Sequence, residues 1–177
     1  PSQWCVGSTP YYGAGTADEH RGTPGAANPA CPETLPGFCR THFPDTLTLA
    51  PRQEGTVYGR VYAAGITDRT TGTDVDADLV AELGYGARGS DAETAGWTWS
   101  SAMANPGYDD VTSGEANNDE YQATLSVPVP GDYDYAYRVS IDGGASWLYC
   151  NTGNPGTSPS TAYDPTLNGE LTVTPFG

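Results

Sequence analysis

The run Tyr133-Asp134-Tyr135-Ala136-Tyr137-Arg138-Val139, continued by Ser140-Ile141-Asp142-Gly143-Gly144-Ala145-Ser146-Trp147, decides the fold class. From Tyr133 to Val139, aromatic or aliphatic side chains fall on every second residue. A strand sends alternate side chains to opposite faces, so this spacing predicts a half-buried strand. The eight residues from Ser140 to Trp147 match S-x-D-x-G-x-x-W, the Asp-box hairpin pattern. In such a turn the aspartate accepts amide hydrogens, glycines adopt positive φ, and the tryptophan covers the bend. Ser140, Asp142 and Gly144 are therefore expected to have structural roles.

The same period of two recurs on both sides of this hairpin. Thr46 to Leu49, Val57 to Tyr62, Leu79 to Tyr85, Trp97 to Trp99, Tyr121 to Val127, Trp147 to Cys150 and Leu171 to Val173 all alternate. Turn residues separate them, and no segment carries a ten-residue helical stripe. Asp74 to Glu82 is compatible with at most a helical turn. The expected fold is all-β, an antiparallel Ig-like β-sandwich of about seven to eight strands. Residues 1–37 are dense in Gly, Pro, Ala, Ser and Thr and have no periodicity. They are expected to form a disulfide-held, extended and loop-rich N-terminal arm, with residues 38–177 as the sandwich domain.

Composition narrows the partners. The 177 residues carry 22 acidic and 7 basic side chains, for a net charge of −15, and every basic one is arginine. Nucleic acid is excluded as a partner, because binding it needs a basic surface. Docking on an anionic bilayer is excluded on the same ground. No apolar run approaches the roughly 18–20 residues of a membrane span. No secretory leader is visible at Pro1, where a polar stretch begins. Cys5, Cys31, Cys39 and Cys150 form an even set without a C-x-x-C pair. That points to two disulfides and an extracellular or cell-surface location. Of the three pairings, Cys5–Cys31 with Cys39–Cys150 is favoured. The first closes the N-terminal arm on itself. The second clamps the start of the sandwich to a late strand.

Two groups of residues carry candidate chemistry. Asp109, Asp110, Glu115 and Asp119, with Asn117, Asn118 and Glu120, gather many oxygen ligands in twelve residues. Calcium is the one candidate cofactor, since a hard cation takes six to eight oxygens. The spacing matches no EF-hand, and a solvated acidic loop is the competing reading. Trp97, Trp99, Tyr133, Tyr135 and Trp147 are the candidate ligand-binding residues, because sugar rings stack on flat aromatic faces. Filling a phenylalanine-poor core is the competing reading. Trp97 and Trp99 share one face, so both should be buried or both exposed. His20 and His42 lie in no catalytic motif, so an enzyme is not expected.

Two resemblances follow from particular residues. Trp4-Cys5, followed by Gly22-Thr23-Pro24-Gly25-Ala26-Ala27-Asn28, resembles the C-terminal end of a lamin-tail-like domain. Phe38-Cys39, Phe43-Pro44, Val57-Tyr58-Gly59-Arg60-Val61, Leu83-Gly84-Tyr85-Gly86, Trp97-Thr98-Trp99, Asn118-Asp119-Glu120-Tyr121 and Tyr135-Ala136-Tyr137-Arg138 resemble a secreted β-sandwich module of myxobacterial extracellular proteins. That likeness runs from about residue 38 to 174 and implies fold and export, not an activity. The expected function is a non-catalytic extracellular module for binding or packing, with neutral polysaccharide as the candidate partner. The alternative is a structural subunit of a filament or surface layer, in which the N-terminal arm joins copies of the chain.

Overall fold

The computed structural model describes residues 34–153 and 156–175. The N-terminal arm, the Cys5–Cys31 pairing and the lamin-tail-like stretch lie outside the described residues. Ten strands follow in order: β1 (Phe38–Phe43), β2 (Thr46–Leu49), β3 (Gly55–Tyr62), β4 (Val80–Ala87), β5 (Thr98–Ser101), β6 (Met103–Ala104), β7 (Asp119–Leu125), β8 (Gly131–Ser140), β9 (Leu148–Cys150) and β10 (Gly169–Val173). They make two sheets. The smaller has the order β1-β3-β7-β6, and the larger β2-β10-β8-β4-β5 with β9 also on β8. The fold is thus an all-β sandwich.

Three details differ from expectation. There are ten strands because β1 and the two-residue β6 are added. One pair is parallel: β2 runs alongside β10, from Thr46 opposite Glu170 to Leu49 opposite Val173. The chain leaves the smaller sheet at Phe43 and enters the larger at Thr46, passing the cis Phe43-Pro44 bond. Asp74 to Glu82 contains no helical turn. The helical turn is instead Asp110–Ser113, capped by the Asp109 side chain and ended by Gly114 at positive φ.

The core fills from both sheets. Val57 and Val61 of β3, Leu83 of β4, Tyr135 and Tyr137 of β8, and Leu171 of β10 are all at most 1 % exposed. Burying phenols satisfies packing only if each hydroxyl finds an acceptor. The Tyr137 hydroxyl donates to the Val57 carbonyl at 2.7 Å, and the Tyr121 hydroxyl donates to the Asp74 carbonyl at 3.1 Å. The Tyr135 hydroxyl donates to the Pro44 carbonyl. Room for the Tyr137 ring comes from Gly59, where a Cβ would lie 2.7 Å from the ring.

β8 organises the larger sheet. One edge pairs with β4 along Tyr133 to Ser140. The other edge is shared: β10 takes Gly131 to Tyr135, and β9 takes Tyr137 to Val139. Where the partner changes, Thr41 of β1 reaches across from the smaller sheet. Its buried hydroxyl accepts from the Tyr137 amide at 2.9 Å and donates to the Cys150 carbonyl at 3.0 Å. Beside it the fully buried Cys39–Cys150 disulfide joins β1 to β9, as expected from the sequence. Cys39 lies inside the first strand, not before it.

Candidate functional site

The outer face of the larger sheet holds an aromatic stack. Along β4, Ala81, Leu83 and Tyr85 point to the core, so Glu82, Gly84 and Gly86 point outward. The neighbouring Trp-x-Trp has the same spacing and lies over the glycines. A Cβ on Gly84 would come within 2.4 Å of the Trp99 ring, and one on Gly86 within 2.5 Å of the Trp97 ring. The two indoles stack with centroids 5.6 Å apart and planes 21° from parallel. Both are half-buried, so the expectation of a shared fate holds, at an intermediate exposure. The Trp97 ring nitrogen donates to Ser90 Oγ at 2.9 Å, which fixes the outer end.

Arg138 completes the stack. It faces outward because Tyr137 and Val139 face in. Its guanidinium carbon lies 4.2 Å from the Trp99 ring centroid and 4.1 Å from that of Trp147. Its Nε and Nη2 donate to Glu82 Oε2 at 2.8 and 2.6 Å. Guanidinium over indole is favourable, and the carboxylate neutralises it, so the patch carries no net charge. Tyr149 meets Trp99 edge-on at 5.9 Å, and Tyr163 meets Tyr149 at 5.8 Å.

The Asp-box hairpin holds Trp147 against this face. Ser140 Oγ donates to Asp142 Oδ1 at 2.7 Å and accepts the Gly144 amide at 2.8 Å. The Ser146 amide donates to Asp142 Oδ1 at 2.8 Å. Gly143 and Gly144 have φ of 70° and 94°. Asp142 thus shares the turn amides with Ser140, while the Gly143 amide goes to the Asp78 carbonyl at 2.9 Å. The hydrogen bonds from Ser140 and Ser146 hold the Asp142 carboxyl below its usual range.

The five candidate aromatic residues divide between two faces. Trp97, Trp99 and Trp147 are outside. Tyr133 and Tyr135 are on the opposite face, in register with Ala87 and Tyr85 of β4. Tyr135 is fully buried, and half-buried Tyr133 packs edge-on against Tyr85 at 5.9 Å with its hydroxyl donating to the Val129 carbonyl. The Tyr135 ring belongs to the core, and the Tyr133 ring packs against its edge. Arg138, Glu82, Tyr149 and Tyr163 join the indoles instead. Their sequence signal is the outward phase of Arg138, together with Gly84-x-Gly86 matched to Trp97-x-Trp99.

The acidic residues are also dispersed. Asp109 is exposed and caps the helical turn by accepting the Thr112 amide at 3.0 Å. Glu115 joins Arg40 and Arg60, the latter at 2.8 Å, on the outer face of the smaller sheet. Burial opposes ionisation of Glu115, but hydrogen bonds from Arg60 and Asn118 hold its carboxyl below the usual range. Asp110 and Asp119 are buried, each with one oxygen on a backbone amide. Among the described residues, no group of three or more His, Cys, Asp and Glu is arranged to hold a metal ion. His42 lies 4.0 Å from Glu120, and burial, with Arg60 and Arg40 nearby, lowers its pKa.

No protein-family model matches the chain, and no curated protein matches it.

Proposed function

We propose that the chain is a non-catalytic β-sandwich module that binds neutral polysaccharide through the outer face of its larger sheet. The observation that carries this reading is the Trp97-Trp99-Arg138-Trp147 stack. It gathers three half-buried indoles on one face of a chain that otherwise repels anions. Stacking on a sugar ring needs flat apolar area, not charge, and the Arg138–Glu82 pair leaves the patch neutral. The glycine track under Trp97 and Trp99 sets their rings on the strand backbone, which limits the entropy lost on binding. Export fits the buried Cys39–Cys150 disulfide, which an oxidising compartment maintains. No helix among the described residues is long and apolar enough to cross a membrane.

The test is retention on insoluble neutral glucans across a range of salt. Wild type is expected to be retained with little salt dependence, because stacking releases no counterions. Trp97→Ala, at the end of the stack, should weaken retention about tenfold, the loss of roughly 1.4 kcal/mol. Tyr133→Phe, on the inner face, should bind as wild type does. Failure of wild type to bind any neutral glucan, or equal retention of Trp97→Ala, would remove the proposal.

A further inference from the structure

Asp110 and Asp119 present a problem that the sandwich itself does not solve. Asp110 is 6 % exposed and Asp119 is fully buried. Each carboxylate uses one oxygen. Asp110 Oδ2 accepts the Asn117 amide at 2.8 Å, and Asp119 Oδ2 accepts the Asp74 amide at 3.0 Å. The Oδ1 atoms of both are buried with no hydrogen-bond partner among the described residues. Backbone bonds tie the two into one loop cluster. The Asp110 amide donates to the Thr71 carbonyl at 2.8 Å, three residues before Asp74, whose amide holds Asp119.

Neighbouring side chains leave both Oδ1 atoms without a hydrogen bond. The Asp74 carboxylate is also buried, and it is used by the amides of Arg69 and Thr70 and the Thr70 hydroxyl. The Arg69 guanidinium donates its hydrogen bonds to the Gly65 carbonyl and to Asp76, not to these oxygens. Native proteins rarely leave buried acceptors unpaired unless an ion or water meets them. Two such oxygens, in loops that backbone bonds tie together, form a buried acceptor pair that a cation can meet.

We infer that these loops bind a hard divalent cation of the calcium class between the unpaired oxygens of Asp110 and Asp119. Two carboxylates supply part of the shell, and backbone carbonyls and water supply the rest, as oxygen-ligated calcium allows. Asp109 and Glu115 take no part, being engaged by the Thr112 amide and by Arg40 and Arg60. The inference does not depend on the polysaccharide reading.

The experiment titrates chelator-treated full chain with calcium chloride, by calorimetry and by thermal unfolding. One ion per chain is expected to bind, with a melting temperature that rises with calcium. Asp119→Asn and Asp110→Asn should each weaken binding about tenfold or more. Asp109→Asn removes the same charge from an exposed position and should bind as wild type does, which separates a site from diffuse attraction to an acidic surface. If Asp119→Asn does not fold, Asp110→Asn and wild type still decide the matter. Absence of saturable heat and of any melting shift up to about 10 mM calcium would overturn the inference. So would an Asp109→Asn loss equal to that of Asp110→Asn.

Discussion

Replacing Gly84 with alanine places a methyl group inside the Trp99 ring. The new Cβ would lie 2.4, 2.6 and 2.7 Å from three ring carbons, far inside van der Waals contact. The backbone at Gly84 cannot yield easily, because β4 is paired on one side with β5 and on the other with β8. The ring must therefore lift from the sheet. Lifting disturbs its stack with Trp97, worth about 0.5–1.5 kcal/mol, and its contact with Arg138, worth about 0.5–2 kcal/mol. Alanine returns up to about 1 kcal/mol through the lower entropy of its unfolded chain. The mid-range values leave a net cost of about 1.5 kcal/mol, seen as a melting temperature lower by about 4–6 °C. A double-mutant cycle with Trp99→Ala isolates the cause. Without the indole the methyl meets free space, and Gly84→Ala should become neutral or stabilising. Equal cost of Gly84→Ala in both backgrounds, measured by reversible chemical denaturation, would refute the reasoning. Glucan retention read on the same variants should fall with Gly84→Ala, because the platform is displaced.

Three further outcomes are expected. Paired replacement of Cys39 and Cys150 by alanine opens a closed loop spanning a sequence separation of 111 and should cost about 2–5 kcal/mol in denaturant unfolding; a loss below about 1 kcal/mol would contradict it. Asp142→Ala should lower the melting temperature and speed amide exchange at Ser146, with Asp142→Asn milder because it keeps an acceptor; unchanged exchange at Ser146 in Asp142→Ala would mean the turn is held otherwise. His42 should titrate below its ordinary 6.5, because burial and the two arginines disfavour imidazolium. The unfolded chain then takes up the proton first, so stability falls as pH drops through 6.5, and His42→Gln should remove that part of the slope. An imidazole titrating at or above 6.5 by NMR would count against it.

Strands whose apolar side chains alternate were legible because each carries its own signal. β3, β4, β7 and β8 read directly, and the Asp-box turn follows from local hydrogen bonding. β1 hides because its inward residues are Cys39 and Thr41, while Phe38 and His42 are only half-buried on the other phase and Phe43 is exposed. Its burial is decided by Cys150 and Tyr137, about a hundred residues away. The same non-locality explains the tyrosines. Alternation places Tyr133, Tyr135 and Tyr137 on one face but does not say which. Cross-strand partners decide it: Tyr85 beside Tyr135 and Leu83 beside Tyr137 make that face the core. Glu115 sits in an acidic stretch, yet it serves Arg40 and Arg60 from two other strands. Composition of a loop cannot reveal cations that approach from elsewhere in the fold. The glycine track was visible in Gly84-x-Gly86, and only its pairing with Trp97-x-Trp99 gives it meaning.

The bridge between β1 and β9 also sets how the domain bears tension. A pull applied before Cys39 and after β10 passes from Cys39 straight to Cys150 through the sulfur bond. The residues between the two cysteines are bypassed and cannot be drawn out. What remains to yield is the stretch after Cys150, and it ends in β10, which lies between β2 and β8. Beside β2 the strand is parallel, so pulling its C-terminal end slides the ladder lengthwise and loads its hydrogen bonds together. Stretched as a link in a chain, the domain is expected to give a short extension while the sulfurs are joined. The full contour should appear only after reduction.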